Sequence, residues 1–394
     1  MTAAALPTLR APAQLDNIVA PAIAFAIGVT AWSSDLQALA LAPLAVSVWA
    51  TRPSRTAAWL CMLAYYLAAS RGLPFGAARF YGGNTPAVFS FALWAGSALA
   101  LSAPWAALWG RAGFWWRVPA AVALCAAPPV GLVGWANPAA AAGLYFPGLA
   151  WLGLALMLAG LVALAYRPVT AALALGLTAI VLGQVYEPRP SPPWIDQAQT
   201  TYGGAGGAGR DFMRDYASNM GAIERAATSK SEAILFPETI AGLWTEQTQD
   251  LWADVAQQLR AEGRTAFVGA EIPVAGSQKT RNALVLVGAE RGEFLQRIPV
   301  PVSMWKPWAD DGTLANVLGD GIHEYRGRRM ATFICYEQLL AWPMLLSMAS
   351  DPQFMLGAAN DYWAADTSIP GIQRTHMRVW AQLFDVPLAM ATNL

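Results

Sequence analysis

Two residues have types and positions that suit covalent chemistry at an acyl carbon. Cys335 closes the apolar run ATFIC at 331–335, and Glu337 follows two residues later. Glu238 closes a second apolar run, AILFPE at 233–238. The carboxyl ends of sheet strands are where α/β folds assemble their sites, so a thiol and an acid at two such ends are candidates for one site. A thiol needs a base to become thiolate, and the carbonyl that it attacks needs a cation or amide donors for its developing oxyanion. Glu238 is placed to be that base. Histidine, the more usual base, occurs only at 323 and 376, and neither ends a strand. The alternatives are a buried strand thiol for Cys335 and, for Glu238, an acid favoured by the N-terminal dipole of the next helix. Glu337 reads equally as a second carboxylate of the site or as half of a structural salt bridge.

Alternating elements must carry these residues. Strands are expected at 194–202, 232–238, 265–273, 282–288 and 293–300, across 321–337, at 353–361 and at 386–393, with turns at Gly292 and Gly327. Helical spacing covers 211–229, 245–263, 338–350 and 371–385. Strands alternating with helices around a central run of hairpins predict an α/β sandwich over 187–394. The stretch GGAGGAGR at 203–210 lacks the strand, helix and lysine of a phosphate loop and reads as a loop.

The first 186 residues have another composition. They contain eight Arg, two Asp, no Lys and no Glu, against 17 basic and 23 acidic residues in the remainder. Apolar runs near 16–34, 36–51, 56–73, 86–109, 115–134, 148–166 and 169–186 predict about seven spans, a bilayer crossing taking about 20 residues. A soluble bundle would alternate polar and apolar faces, which these runs do not. With the N-terminus inside, the inner segments hold Arg10, Arg52, Arg55, Arg111, Arg117 and Arg167, and the outer loops only Arg71 and Arg79. This predicts a multi-pass protein of the bacterial inner membrane, with 187–394 in the periplasm after the linker EPRPSPP at 187–193. Cys61 and Cys125 fall inside apolar runs and read as packing residues. Cys335 therefore has no disulfide partner in its own domain. No basic block suggests nucleic acid. The uncharged stretch 134–147 is expected at the outer face near the site, with Trp135, Tyr145 and Phe146 as an apolar wall.

LFPE (235–238), ICYE (334–337), AANDYW (358–363) and QRTHMRVWAQLFDVPLAMATN (373–393), in that order, resemble the nitrilase (carbon–nitrogen hydrolase) superfamily. With apolar spans in front, the chain resembles its apolipoprotein N-acyltransferase branch. GWANPAAAAGLYFPGLAWLGL (134–154) and PVPVSMW (299–305) are similar to relatives of that enzyme tied to plasmid conjugal transfer. The resemblance implies an αββα sandwich behind a polytopic helical membrane domain, and a Glu–Lys–Cys triad with no metal or cofactor. Glu238 matches the base and Cys335 the nucleophile, with Glu337, Tyr336 and Asn360 in the same motifs as supporting residues. The implied partners are a lipid or acylated-protein substrate, the membrane and components of a conjugation apparatus.

The match departs where the lysine belongs. In QRIPVPVSM (296–304), Gln296 takes the place of the family's lysine and Met304 that of a glutamate. Arg297 is adjacent, but a strand would point it to the opposite face. Lys306 is the nearest lysine, on a loop from which it would have to swing in, and the triad expected is therefore Glu238–Lys306–Cys335. The acyltransferase adds further strand and a final span beyond the stretch matching ATN at 391–393. Three functions stand open: a membrane-bound amidase or acyltransferase working through a thioester, a non-catalytic relative that binds or scaffolds in a conjugation apparatus, and a transporter with an accessory outer domain. The absence of buried charge in the apolar half speaks against the last.

Overall fold

The computed structural model describes residues 13–81, 86–203 and 212–394; Arg10 and most of the stretch 203–210 lie outside them. The apolar half is helical: α1 Ala13–Ala31, α2 Leu44–Ala50, α3 Arg55–Ala69, α4 Leu73–Tyr81, α5 Ala87–Ala107, α6 Phe114–Ala126, α7 Ala142–Tyr145, α8 Ala150–Tyr166 and α9 Pro168–Val185. Among the described residues two of these, α5 and α9, are long and apolar enough to cross a membrane; the other apolar helices are shorter. The run expected at 36–51 is broken, with a 3-10 turn at Gln37–Leu41 ahead of α2. The run expected at 115–134 stops at Ala126, because Pro128 and Pro129 follow and cannot continue a helix. Val169, Leu173, Leu177, Ile180 and Val185 of α9 point outward and are exposed, while Ala171 and Leu175 face the other helices.

The second half holds two sheets. The first has strand order β1-β3-β4-β5-β6, with β7 beside β5, from β1 Ile195–Gln197, β3 Ala233–Leu235, β4 Thr265–Pro273, β5 Gln278–Gly288, β6 Gly292–Leu295 and β7 Asp311–Thr313. The second has order β2-β11-β10-β9-β8, from β2 Gln199–Thr200, β8 Ile322–Tyr325, β9 Arg328–Ile334, β10 Phe354–Asn360 and β11 Leu388–Asn393. The run expected as a strand over 293–300 pairs only through Leu295.

Side-chain alternation explains the layers, since a strand turns successive residues to opposite faces. Leu235, Phe267, Leu284 and Phe294 of one sheet meet Met330, Ile334, Leu356 and Ala389 of the other in a core between the sheets. Ile234, Phe236, Val268 and Val285 face the opposite way, onto α10 Phe212–Thr228 and α11 Glu246–Ala261 through Ala222, Trp252 and Leu259. On the far side Ala331, Phe333 and Met355 meet Met344 of α12 Ala341–Met348 and Met377 of α13 Ile369–Phe384, and this core runs on into the apolar helices. The result is an αββα sandwich whose second helix layer is also packed against the first half. Gly143 of α7 makes that contact: a Cβ there would lie 1.8 Å from the Val379 carbonyl oxygen of α13.

Candidate active site

Three strand ends converge. The parallel register of β9 and β10 sets Ile334 beside Ala358, so Cys335 leaves β9 one residue on and Asn360 ends β10 two residues on, at the same edge of the sheet. Glu238 comes from the other sheet, three residues past the end of β3. Its backbone crosses β4 at Gly269, where a Cβ would stand 2.6 Å from the Glu238 Cα. Thr239 follows with φ +50°, and Cys335 also has φ +50°. Non-glycine residues seldom hold such values unless the surroundings enforce them. At Cys335 the enforcing group is Glu337: its Oε2 accepts from the Ile334 N–H at 3.0 Å, and its Oε1 accepts from the Ile298 N–H at 2.9 Å and from the Arg297 N–H. Glu337 is fully buried, and the Arg297 guanidinium lies 3.5 Å away. All these contacts hold the turn that carries the cysteine.

Glu238 is buried and lies close enough to the Cys335 thiol for each to shift the other's proton affinity. Its Oε1 accepts from Asn282 Nδ2 and its Oε2 from the Asn360 N–H at 3.2 Å. Burial pushes its carboxyl up to about 7, against the Cys335 thiol and the hydrogen bonds from Asn282 and Asn360, which pull it down. The Cys335 thiol is held well above its ordinary value, by burial first and then by the charges of Glu238 and Asp361. Burial thus favours the neutral thiol and lifts the Glu238 carboxyl toward neutrality.

Gln296 stands beside the acid as a neutral link: its Oε1 accepts from Asn282 Nδ2 at 3.0 Å, and its Nε2 donates to the Ile334 carbonyl oxygen at 2.9 Å. Arg297 points the other way, donating to the Thr332 carbonyl oxygen and Ser347 Oγ and lying over the Phe333 ring. Lys306 lines the same cavity as Glu238 and Cys335, but its Nζ is paired with Asp311. Tyr336 turns its hydroxyl to the Leu132 carbonyl oxygen of the first half, at 2.9 Å. Asn360 Nδ2 donates to Thr239 Oγ1 and its Oδ1 accepts from Asn393 Nδ2, tying β10 to β11 and to the acid's loop. Both histidines lie elsewhere: His376 is buried between the Gln338 carbonyl oxygen and Trp380 Nε1, burial holding it down at about 4, and His323 stacks on Phe294.

The cavity over Cys335 measures ≈ 380 Å³. Its floor is Glu238, Thr239, Cys335 and Asn360, and its lip is the loop through Val300, Ser303 and Met304. The remaining wall comes from the first half: Leu73, Ala77 and Phe80 of α4, Leu93 of α5, and Trp135. Of the expected aromatic wall only Trp135 reaches the cavity; Tyr145 bonds the Ala40 carbonyl oxygen and Phe146 packs by Gly153. Among the described residues no group of three or more His, Cys, Asp or Glu side chains is placed to hold a metal ion.

Asn282, Gly269, Asp361 and Gln373 complete the site without having been singled out in the sequence. For Asn282 a signal was there: it has the parity of Leu284 and Leu286, which face the second sheet.

Two facing sheets flanked by helices, with a glutamate and a cysteine meeting at their strand ends, define a nitrilase-like protein. The chain is 34% identical to the conjugal transfer protein TraB of Agrobacterium fabrum, over 94% of this chain and 91% of that one. It is 32% identical to the probable conjugal transfer protein TraB of Sinorhizobium fredii, over 93% and 95%. It belongs to the TraB family of conjugal transfer proteins. No family model matches it. Among solved structures it is similar to the amidase of Nesterenkonia sp. AN1, with TM-score 0.35 and 12% identity over 50% of this chain and 77% of that one.

Proposed function

We propose that the protein is a membrane-bound amidase or acyltransferase that works through a thioester on Cys335 within plasmid conjugal transfer. The observation that carries this reading is that Glu238 and Cys335, both buried, line the floor of one cavity walled by both halves of the chain. Glu238 takes the thiol proton, and the thiolate attacks an acyl carbonyl. The amine or alcohol of the substrate leaves with the proton that Glu238 returns. Water or an amine then attacks the thioester, again losing its proton to Glu238, and the thiol is restored. The apolar wall from α4 and α5 suits an acyl chain or acylated protein. The outward apolar side chains of α9 and the length of α5 support insertion in the inner membrane, and the Arg placement supports a multi-pass arrangement with 187–394 in the periplasm.

The test is mass spectrometry of the full chain after incubation with bacterial membranes, seeking an acyl adduct on Cys335 that is absent in Cys335→Ala and Glu238→Gln. One observation favours a second reading, a non-catalytic binding or scaffold role: Gln296 is neutral and Lys306 is paired with Asp311. No adduct from any membrane fraction, together with normal conjugation by Cys335→Ala, would establish that reading instead.

A further inference from the structure

Asp361 follows Asn360 at the carboxyl end of β10 and is 1% exposed. Its N–H donates to the Asn393 carbonyl oxygen at 2.8 Å. Its carboxyl lies near the side-chain amide of Gln373 on α13, whose N–H pulls it down against the larger effects of burial and the Glu238 charge, and Gln373 Nε2 donates to the Cys335 carbonyl oxygen at 3.1 Å. Two buried oxygens in this group have no hydrogen-bond partner, Asp361 Oδ1 and Gln373 Oε1. With Asp361 ionised both are acceptors, and each orphan carries the full penalty of an unsatisfied buried polar atom. A proton on Asp361 would supply one donor for the two acceptors.

We propose that Asp361 is a positioning residue, protonated in the resting site, which donates to Gln373 Oε1, fixes the Gln373 amide on the Cys335 carbonyl and leaves Glu238 as the single negative charge beside the nucleophile. This rests on the Glu238–Cys335 reading above. The groups bearing on Asp361 are Glu238 from the loop after β3, Cys335 after β9, the exposed Arg374 on α13 and the neighbouring Tyr362. Burial, and then the charge of Glu238, push Asp361 up to about 8, so it keeps its proton at neutral pH. Once it ionises, a second negative charge opposes the thiolate.

The experiment follows alkylation of Cys335 by iodoacetamide in the full chain, peptide by peptide, across pH. Asp361→Asn keeps a donor for Gln373 and cannot ionise. Its Cys335 should react about tenfold faster than wild type near pH 9, the effect of about one unit from a nearby like charge. Superimposable profiles would overturn the proposal. Should Asp361→Asn fail to fold, infrared spectra of the wild type decide: a carboxylic-acid band that persists after the Glu238 band has faded near pH 7 and fades only above about pH 8 supports the proposal, and loss of all such absorption by about pH 7 refutes it. Alkylation unaffected by Glu238→Gln would instead remove the Glu238–Cys335 reading, while the infrared result on Asp361 would stand by itself.

Discussion

Glu238 occupies the space that a side chain on Gly269 would need. A Cβ there would meet the Pro237 carbonyl oxygen at 2.0 Å and the Glu238 Cα at 2.6 Å, contacts with backbone that has no room to yield. Gly269→Ala should therefore push the acid off the thiol. The expected loss is about 1–3 kcal/mol of stability from overpacking, with acylation of Cys335 abolished. Denaturant unfolding and adduct formation measure the two effects separately.

Glu238 titrates near neutrality, and this sets a pH dependence. Thioester formation should rise as pH passes about 7, where the carboxyl becomes the ionised base, and Glu238→Gln should flatten the profile at a low level. The stability consequence has the opposite sign. The folded value of about 7 lies above the carboxyl's ordinary value of 4.5, so the folded state binds more protons between them and loses stability as pH rises through that window. Glu238→Gln escapes the loss, and its melting temperature should gain on wild type as pH goes from about 4.5 to about 7.

Gln296 and Lys306 should respond differently to removal. Gln296→Ala strips a buried partner from Asn282 Nδ2 and from the Ile334 carbonyl oxygen, costing about 1–3 kcal/mol and loosening the peptide ahead of Cys335. Lys306→Ala removes a surface pair with Asp311, worth about 0–1 kcal/mol. If Lys306 supplies the oxyanion charge by leaving Asp311 when substrate binds, Lys306→Ala costs about 100- to 1000-fold in acylation rate at unchanged stability. An unchanged rate assigns the oxyanion to neutral donors.

The seam between the halves gives a mechanical prediction. Gly143→Val places methyl groups on the Val379 carbonyl and should part α7 from α13. Limited proteolysis should then cut within 187–193 faster than in wild type, while Tyr336→Phe, which loses only the bond to Leu132, should show a smaller change.

Strand and helix positions in 187–394 were legible because alternation and helical spacing are local. β4 occupies 265–273 as expected, and Glu238 and Cys335 were legible because each ends an apolar run. Partnership across sheets was not legible. Gln296, Asn282 and Asn360 share the inter-sheet parity of Phe294, Leu284 and Ala358, but the first two reach Glu238 through the strand order of their own sheet, and only the packing of one sheet on the other brings Asn360 to it. The run 293–300 was read as strand throughout; past Leu295 its N–H groups at 297 and 298 go to the Glu337 carboxylate instead of to a ladder. Helix ends in the apolar half were blurred by uniform hydropathy, and proline alone marked where α6 stops.

Trp135 and α4 form part of the vessel around Cys335, and Tyr336, next in the chain, is tethered to Leu132. The two halves are therefore not a catalyst and a detachable anchor. Heredity must treat them as one piece: a graft of 187–394 onto a foreign set of helices would inherit Cys335 without its wall, and substitutions around Leu132 or Gly143 would call for matching changes at Tyr336 or Val379.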